Sequence, residues 1–287
     1  MGRGLMTFKV FVSFLLFIAN DIFCQDMQIV METKSYFNAP VVGKINLYQT
    51  TFLAKNQKNT REVTSIEKRL FGFLAGLISD VNDTTGHLIA FDGKQWGYNK
   101  NNKEYWDYLK KQSSEKNNES NSKSVSFSVG DSDDEFLFIS RKEHGGVEKI
   151  HGFQTKKYTT IFETIKNRIK IDEWAVKELS LLRIADTLNK DLLVLLGTPD
   201  SIIMASTYGA GLSNNEAVIG SPKLDSLFSQ FSIKPIPGEI IKGDVKVIDK
   251  ESDETNLSFG TEVVALYAED FEIDSFNIGN DYVLIDH

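Results

Sequence analysis

Residues that could act as nucleophiles or bind metals are few and widely spaced in this sequence. The single cysteine is Cys24, in an apolar leader, and no serine lies in a G-x-S-x-G turn, so neither a cysteine nor a serine nucleophile is indicated. The four histidines, at positions 87, 144, 151 and 287, form no H-E-x-x-H or H-x-H pair, which are spacings typical of zinc sites. The sequence therefore predicts no catalytic residue, no metal site and no cofactor.

Three other groups of residues have the composition of a functional site without its spacing. Asp172 and Glu173 are neighbours in a predicted strand, so their side chains point to opposite faces and cannot converge as the carboxylates of a glycosidase do. Residues 208–211 (YGAG) lack the lysine and the Ser/Thr of a phosphate-binding loop. The acidic run at 131–135 lacks the glycine and the distal glutamate of a calcium loop. We therefore predict that the protein is not an enzyme.

The overall charge excludes some partners. The chain has 287 residues and a net charge of −8, with no basic cluster, which disfavours binding to nucleic acid or to anionic membrane surfaces. Beyond the leader no apolar run reaches the 18 residues of a membrane-spanning helix, so the mature chain is predicted to have no transmembrane segment.

The N-terminal segment, residues 1–24, has the pattern of a cleaved signal peptide. A short basic region precedes an apolar core (VFVSFLLFIA) that is too short to span a bilayer as a helix. We predict cleavage between Cys24 and Gln25 and export to the periplasm or beyond. Two alternatives stay open, an uncleaved N-terminal anchor and lipidation of Cys24 as an outer-membrane lipoprotein, although Phe23 stands where lipoprotein signals usually carry a small residue.

The mature chain, residues 25–287, is predicted to form a single, mostly β domain centred on residues 87–108 (HLIAFDGKQWGYNKNNKEYWDY). Polar and aromatic residues alternate in this stretch, and Asp92-Gly93 is typical of a two-residue hairpin turn. A longer polar turn is predicted at 54–59. The same alternation predicts strands over residues 28–37, 44–52, 60–67, 87–91, 94–98, 103–108, 136–139, 147–153, 156–162, 167–173, 239–249, 262–268 and 282–285.

Two amphipathic helices interrupt the strands. Apolar residues recur at helical spacing over 68–81 and 178–196, and Gly197 fits the C-cap of the second helix. Residues 110–135 are rich in Ser, Asn, Lys and Glu and are predicted to be a flexible loop. The expected fold class is α+β, mostly β: a curved antiparallel sheet, or open half-barrel, with helices covering its concave face.

The apolar helix faces and the large aromatic residues could enclose a pocket for a hydrophobic ligand, because such pockets are mostly apolar with few polar groups. The alternative is that these side chains simply fill the core. The predicted lining residues of the cavity are Leu70, Phe71, Leu74, Leu77, Phe91, Trp96, Trp174, Leu182 and Leu188.

Several short motifs together resemble a bacterial family, the domain of unknown function 4412. Residues 150–159 (IHGFQTKKYT) are similar to its I-x-G-[YF]-x-x-x-[KR]-Y signature, Trp174 precedes a helix as in the family, and residues 276–282 (FNIGNDY) approximate its F-x-[IV]-P-x-G-Y ending, without the proline and glycine in place. The upstream meander of the family is matched by Asp92, Tyr98, Lys103 and Tyr105.

This family is related to the fold of the periplasmic and outer-membrane lipoprotein localisation factors. The resemblance implies an open antiparallel half-barrel with helices across its concave side, the place where the localisation factors hold lipid chains. It implies no functional residue, because the family has no established activity.

The expected function is therefore an exported, non-enzymatic protein of the bacterial envelope that binds a lipid or another hydrophobic ligand. The alternative is a scaffold or protein-interaction module with a filled core, whose sheet edges or 110–135 loop contact an envelope protein.

Overall fold

Thirteen strands dominate the computed structural model, which describes residues 27–40, 43–67, 83–118, 136–198 and 228–286. Two α-helices, α1 (Tyr108–Asn118) and α2 (Ser180–Leu195), and a short 3-10 helix (Ile273–Phe276) accompany them. The strands are β1 (Met27–Ala39), β2 (Gly43–Ala54), β3 (Gln57–Ile66), β4 (Thr84–Ile89), β5 (Gln95–Asn99), β6 (Glu104–Asp107), β7 (Phe138–Glu143), β8 (Glu148–Ile150), β9 (Phe153–Glu163), β10 (Asn167–Val176), β11 (Glu239–Asp249), β12 (Thr255–Asp270) and β13 (Val283–Leu284).

These strands form one open sheet in the order β13-β6-β5-β4-β3-β2-β1-β12-β11-β10-β9-β7, with β8 paired to β9 outside this path. Every pairing is antiparallel except that of β13 with β6. Neighbouring strands mostly follow one another in the chain, as expected where tight turns join antiparallel strands. The long exception is β1 with β12, which joins the two halves of the sheet. The predicted fold class, mostly β with a single open sheet and few helices, is confirmed.

Helix α2 matches its prediction closely. It was expected over 178–196 and is found over Ser180–Leu195. Gly197 adopts a φ of +73° just past the helix, and its N–H donates to the carbonyl of Val194 at 2.9 Å. Glycine adopts this left-handed conformation without steric cost, which explains the end of the helix.

One face of the sheet is covered by α2. Leu182, Ala185 and Leu192 lie on one stripe of the helix and are buried. Ala185 packs against Ile29 of β1 and Leu53 of β2. Fully burying a leucine side chain contributes about 1.5–3 kcal/mol, so this stripe is enough to hold the helix on the sheet.

The opposite face is covered by the C-terminal segment. Leu88 and Tyr98 form a cluster there with Phe276 of the 3-10 helix. The ring of Phe276 stacks on that of Phe271 with 5.4 Å between centroids. The side-chain amide of Asn59 donates to the carbonyl of Ser275 at 2.7 Å, so a buried polar contact fixes this segment as well.

Three local predictions need correction. The hairpin at Asp92-Gly93 has a three-residue loop, because Gly93 N–H donates to Ala90 O and Ala90 N–H to Lys94 O, leaving Phe91 in the loop. Part of the predicted 110–135 loop belongs to α1, which extends to residue 118; residues 119–135 lie outside the described residues. The strand predicted at 136–139 starts instead at Phe138. Phe138 is about half exposed, because β7 is an edge strand.

Candidate functional site

A cleft of about 410 Å³ lies beside α2 on the sheet, and we call it the lysine cleft. Its principal lining residues are Lys58 of β3, His87 of β4, Trp106 of β6 and Tyr108 of α1. The register explains the grouping: Lys58 pairs with Leu53, which packs under α2, and cross-strand partners share a face of the sheet.

The same reasoning places the other two strands. Thr60, two residues after Lys58, pairs with His87. His87 pairs with Gly97, and Gly97 pairs with Trp106. The pairing therefore brings residues 48 positions apart in the chain, from 58 to 106, onto the α2 side of the sheet.

Glycine at position 97 determines where the indole of Trp106 can lie. A Cβ atom at Gly97 would come within 2.3 Å of the Trp106 Nε1, a separation that no real side chain tolerates. The indole can rest against β5 only because that Cβ is absent. On the other side of the cleft the rings of His87 and Tyr108 stack with 3.8 Å between centroids. Aromatic rings thus form two walls of the cleft.

Lys58 supplies a largely desolvated cation. Its Nζ donates to Oδ1 of Asn189 on α2 at 3.1 Å, which ties the amine to the helix. Burial lowers the pKa of Lys58 from its ordinary 10.5 to about 8, because removal from water disfavours the charged form. At pH 7 the amine is still mostly protonated, and it becomes neutral within one to two pH units above.

His87 is neutral over the same pH range. Burial, together with the positive charge of Lys58, lowers its pKa to about 4. Its Nε2 lies 3.1 Å from Oε1 of Gln95, so the neutral ring donates this hydrogen bond. The cleft has aromatic walls and two charged lining residues, Lys58 and Glu62. Its Lys58 amine can bind the acidic group of a ligand, and above pH 8 it can also act as a nucleophile.

Those of the predicted lining residues that the structure describes do not come together in this cleft. Phe91 is 66% exposed in the loop between β4 and β5, because that loop has three residues. Trp96 packs on the opposite face of the sheet, with its ring edge-on to Tyr105 at 5.5 Å. Leu182 and Leu188 of α2 pack into two separate apolar clusters between the helix and the sheet. Leu70, Phe71, Leu74 and Leu77, with the predicted helix at 68–81, lie outside the described residues.

Trp174 lies away from the lysine cleft in a charged environment. It is 8% exposed, and its Nε1 donates to Oε2 of Glu148 at 2.7 Å. The amines of Lys157 and Lys242 lie 4.7 Å and 5.1 Å from its ring centroid. These cations pack on the indole face as cation–π partners.

Sequence reasoning missed the lysine cleft because the turn that it predicted before β3 was too long. The predicted turn at 54–59 placed Lys58 in a loop, whereas the turn is tight and β3 begins at Gln57. Asn56 adopts a φ of +61° in that turn, and asparagine tolerates this conformation better than most residues. The Lys-Asn pair at 55–56 was the available signal, because Asn is favoured in tight turns.

Comparison with known proteins identifies no family. No family model and no curated protein matches the chain, so the resemblance to family 4412 is not confirmed. One similar solved structure is a "putative outer membrane lipoprotein-sorting protein domain" from Vibrio parahaemolyticus, with 8% identity over 87% of this chain and 89% of that chain and a TM-score of 0.24. Another is a LolA superfamily protein from Nitrosomonas europaea, with 9% identity over 88% and 90% and a TM-score of 0.22. With TM-scores and identities this low, neither likeness supports a conclusion about this chain.

Within the described residues, no group of three or more His, Cys, Asp or Glu side chains is placed to hold a metal ion. No helix in the part of the chain that the structure describes has the length and apolar character needed to cross a membrane.

Proposed function

We propose that the protein is an exported, non-enzymatic binding protein of the bacterial envelope whose ligand is an amphiphile with an acidic head group. The observation that carries the proposal is the lysine cleft, where aromatic walls adjoin a largely buried amine. The apolar part of the ligand would lie against Trp106 and Tyr108, and its carboxylate or phosphate would pair with Lys58. Export rests on the leader sequence alone.

The dimensions and chemistry of the cleft support this ligand class. A volume of about 410 Å³ falls within the range of roughly 300–1,000 Å³ that is typical of small-molecule sites. The burial that lowers the pKa of Lys58 also strengthens its attraction for an anion, because the local dielectric is low. An anionic head group would in turn raise the pKa of Lys58 and remove part of the cost of burying its charge.

The test is binding of a dansyl-labelled undecanoic acid to the purified protein, followed by fluorescence at pH 7. Replacement of Lys58 by Met keeps most of the aliphatic volume and removes the charge. We expect K58M to weaken binding about tenfold or more, since a hydrogen bond to a charged group contributes roughly 1.5–3 kcal/mol. Binding of neutral decanol, measured by displacement of the probe, should change little.

The matched control is Lys55→Met, because Lys55 is exposed two residues before β3. It should bind the probe as the unmodified protein does. Equal affinity of K58M and the unmodified protein would refute the role of Lys58, and failure of the unmodified protein to bind either amphiphile would refute the ligand class.

A second candidate, a protein-interaction module, is supported by the open edge at β13. Val283 and Leu284 form this edge strand and are 63% and 56% exposed. An exposed apolar edge is a ready template for strand addition by a partner. Under this alternative, Val283→Lys would abolish capture of an envelope protein that the unmodified chain retains, while K58M would not.

A further inference from the structure

A cleft of about 700 Å³ lies on the face of the sheet opposite α2, and we call it the arginine cleft. Arg61 of β3, Tyr98 of β5 and Lys100 line it from the sheet. The C-terminal segment lines it from the other side, with Asp274, Asn277, Asn280 and Tyr282 among its residues.

The wall on the sheet side is rigidly held. Tyr98 is 6% exposed and its hydroxyl donates to Oδ1 of Asn59 at 2.8 Å. Asn59, itself 2% exposed, donates to the carbonyl of Ser275 at 2.7 Å. Burial raises the pKa of Tyr98, so the hydroxyl stays protonated and keeps donating. This chain of hydrogen bonds joins the sheet to the C-terminal segment at the base of the cleft.

Arg61 is held in place by neutral groups rather than by an acid. Its guanidinium lies 4.6 Å from the ring centroid of Phe52 and is hydrogen-bonded to the Tyr98 hydroxyl. Stacking on an aromatic ring restricts a guanidinium while leaving N–H donors at its edge. The cation is therefore oriented before any ligand arrives, which reduces the entropy that binding costs.

The cleft has an excess of positive charge. Lys100 is exposed at its rim, and neither Arg61 nor Lys100 forms an ion pair with any acidic side chain in the described ranges. Asp274 is the single acidic lining residue. Lys103, beside the same cleft, is instead paired with Asp281. Two unpaired cations facing one cleft indicate an anionic ligand.

We propose that the arginine cleft binds a small polar molecule that carries a carboxylate or phosphate group, with Arg61 and Lys100 as its counter-ions. The planar fork of Arg61 suits either acid, because both offer two oxygens at matching spacing. The amides of Asn277 and Asn280 can donate to and accept from hydroxyl groups on the rest of the ligand. The ring of Tyr282, edge-on to Tyr98 at 6.2 Å, offers it an aromatic surface.

The experiment is titration of the full mature chain with glucose 6-phosphate, glucuronate and neutral glucose, followed by calorimetry and by chemical shifts of backbone amides. We expect one or both acids to bind and glucose not to bind, and the comparison of the two acids identifies the preferred group. Inorganic phosphate tests whether the acid alone is sufficient.

The variants separate a site from general charge attraction. Arg61→Met keeps the packing on Phe52 and should lower affinity about tenfold or more. Lys100→Gln, at an exposed position, should lower it about threefold. The control Arg183→Met removes an exposed arginine of α2, which pairs with Glu239, and should have no effect.

Three results would overturn the proposal. These are no binding of either acid, unchanged affinity in both Arg61→Met and Lys100→Gln, or an equal loss of affinity in the control. Because K58M lies in the other cleft, it should leave these affinities unchanged. The two binding proposals therefore fail or succeed separately.

Discussion

Replacing Lys58 by Met should stabilise the fold at neutral pH. Burial lowers the pKa of Lys58 from 10.5 to about 8, and each pKa unit corresponds to about 1.36 kcal/mol. Keeping this amine charged in the fold therefore costs at most about 3 kcal/mol at pH 7. The substitution also removes the hydrogen bond to Asn189, which offsets about 1 kcal/mol. The expected net gain is about 1–2 kcal/mol.

The pH dependence gives the sharper test. Between pH 8 and 10.5 the unfolded chain binds a proton at Lys58 that the folded chain has released, so the free energy of unfolding rises with pH in this window. The variant lacks this contribution. Its advantage over the unmodified protein should therefore shrink from pH 8 upward and disappear near pH 10.5.

Urea unfolding at pH 7, 8.5 and 10, followed by tryptophan fluorescence, measures both quantities. The exposed Lys55→Met is the control and should change stability by less than about 0.5 kcal/mol at every pH. A variant at position 58 that is less stable at pH 7, or a difference that stays constant with pH, would refute the assignment of Lys58 as a desolvated cation.

Four further substitutions test the packing. Gly97→Ala should displace the Trp106 indole, whose Nε1 would lie 2.3 Å from the new Cβ, and cost about 1–3 kcal/mol with an altered fluorescence maximum; an unchanged spectrum would contradict the contact. Leu182→Ala, at a fully buried position, should cost about 2–5 kcal/mol in urea unfolding. Phe91→Ser, at a position 66% exposed, should change stability by less than about 0.5 kcal/mol, and a larger loss would place Phe91 in the core. Tyr98→Phe removes a buried hydrogen bond and should cost about 1–2 kcal/mol, with no loss arguing that another donor replaces it.

The sequence by itself determined the local elements of this protein. Alternation of apolar and polar residues indicated most of the strands, including β11 with its observed limits of Glu239–Asp249. Helical spacing of leucines gave α2, and Gly197 marked its end. These features follow from the period of a strand or helix and from the conformation of single residues, which neighbouring positions in the chain are sufficient to set.

Only the tertiary structure decided which strands meet and which polar groups are buried. Met27 of β1 lies opposite Asp270 of β12, and no local pattern specifies a pairing so distant in the chain. The predicted turn before β3 ended three residues too late, at 59 instead of 56, and this placed Lys58 in a loop rather than on a face of the sheet. The desolvation of that lysine depends on its contact with α2. The cleft that Arg61 lines is completed by the C-terminal segment. Burial and electrostatics are properties of such distant contacts, and both candidate sites therefore appear only once the chain is folded.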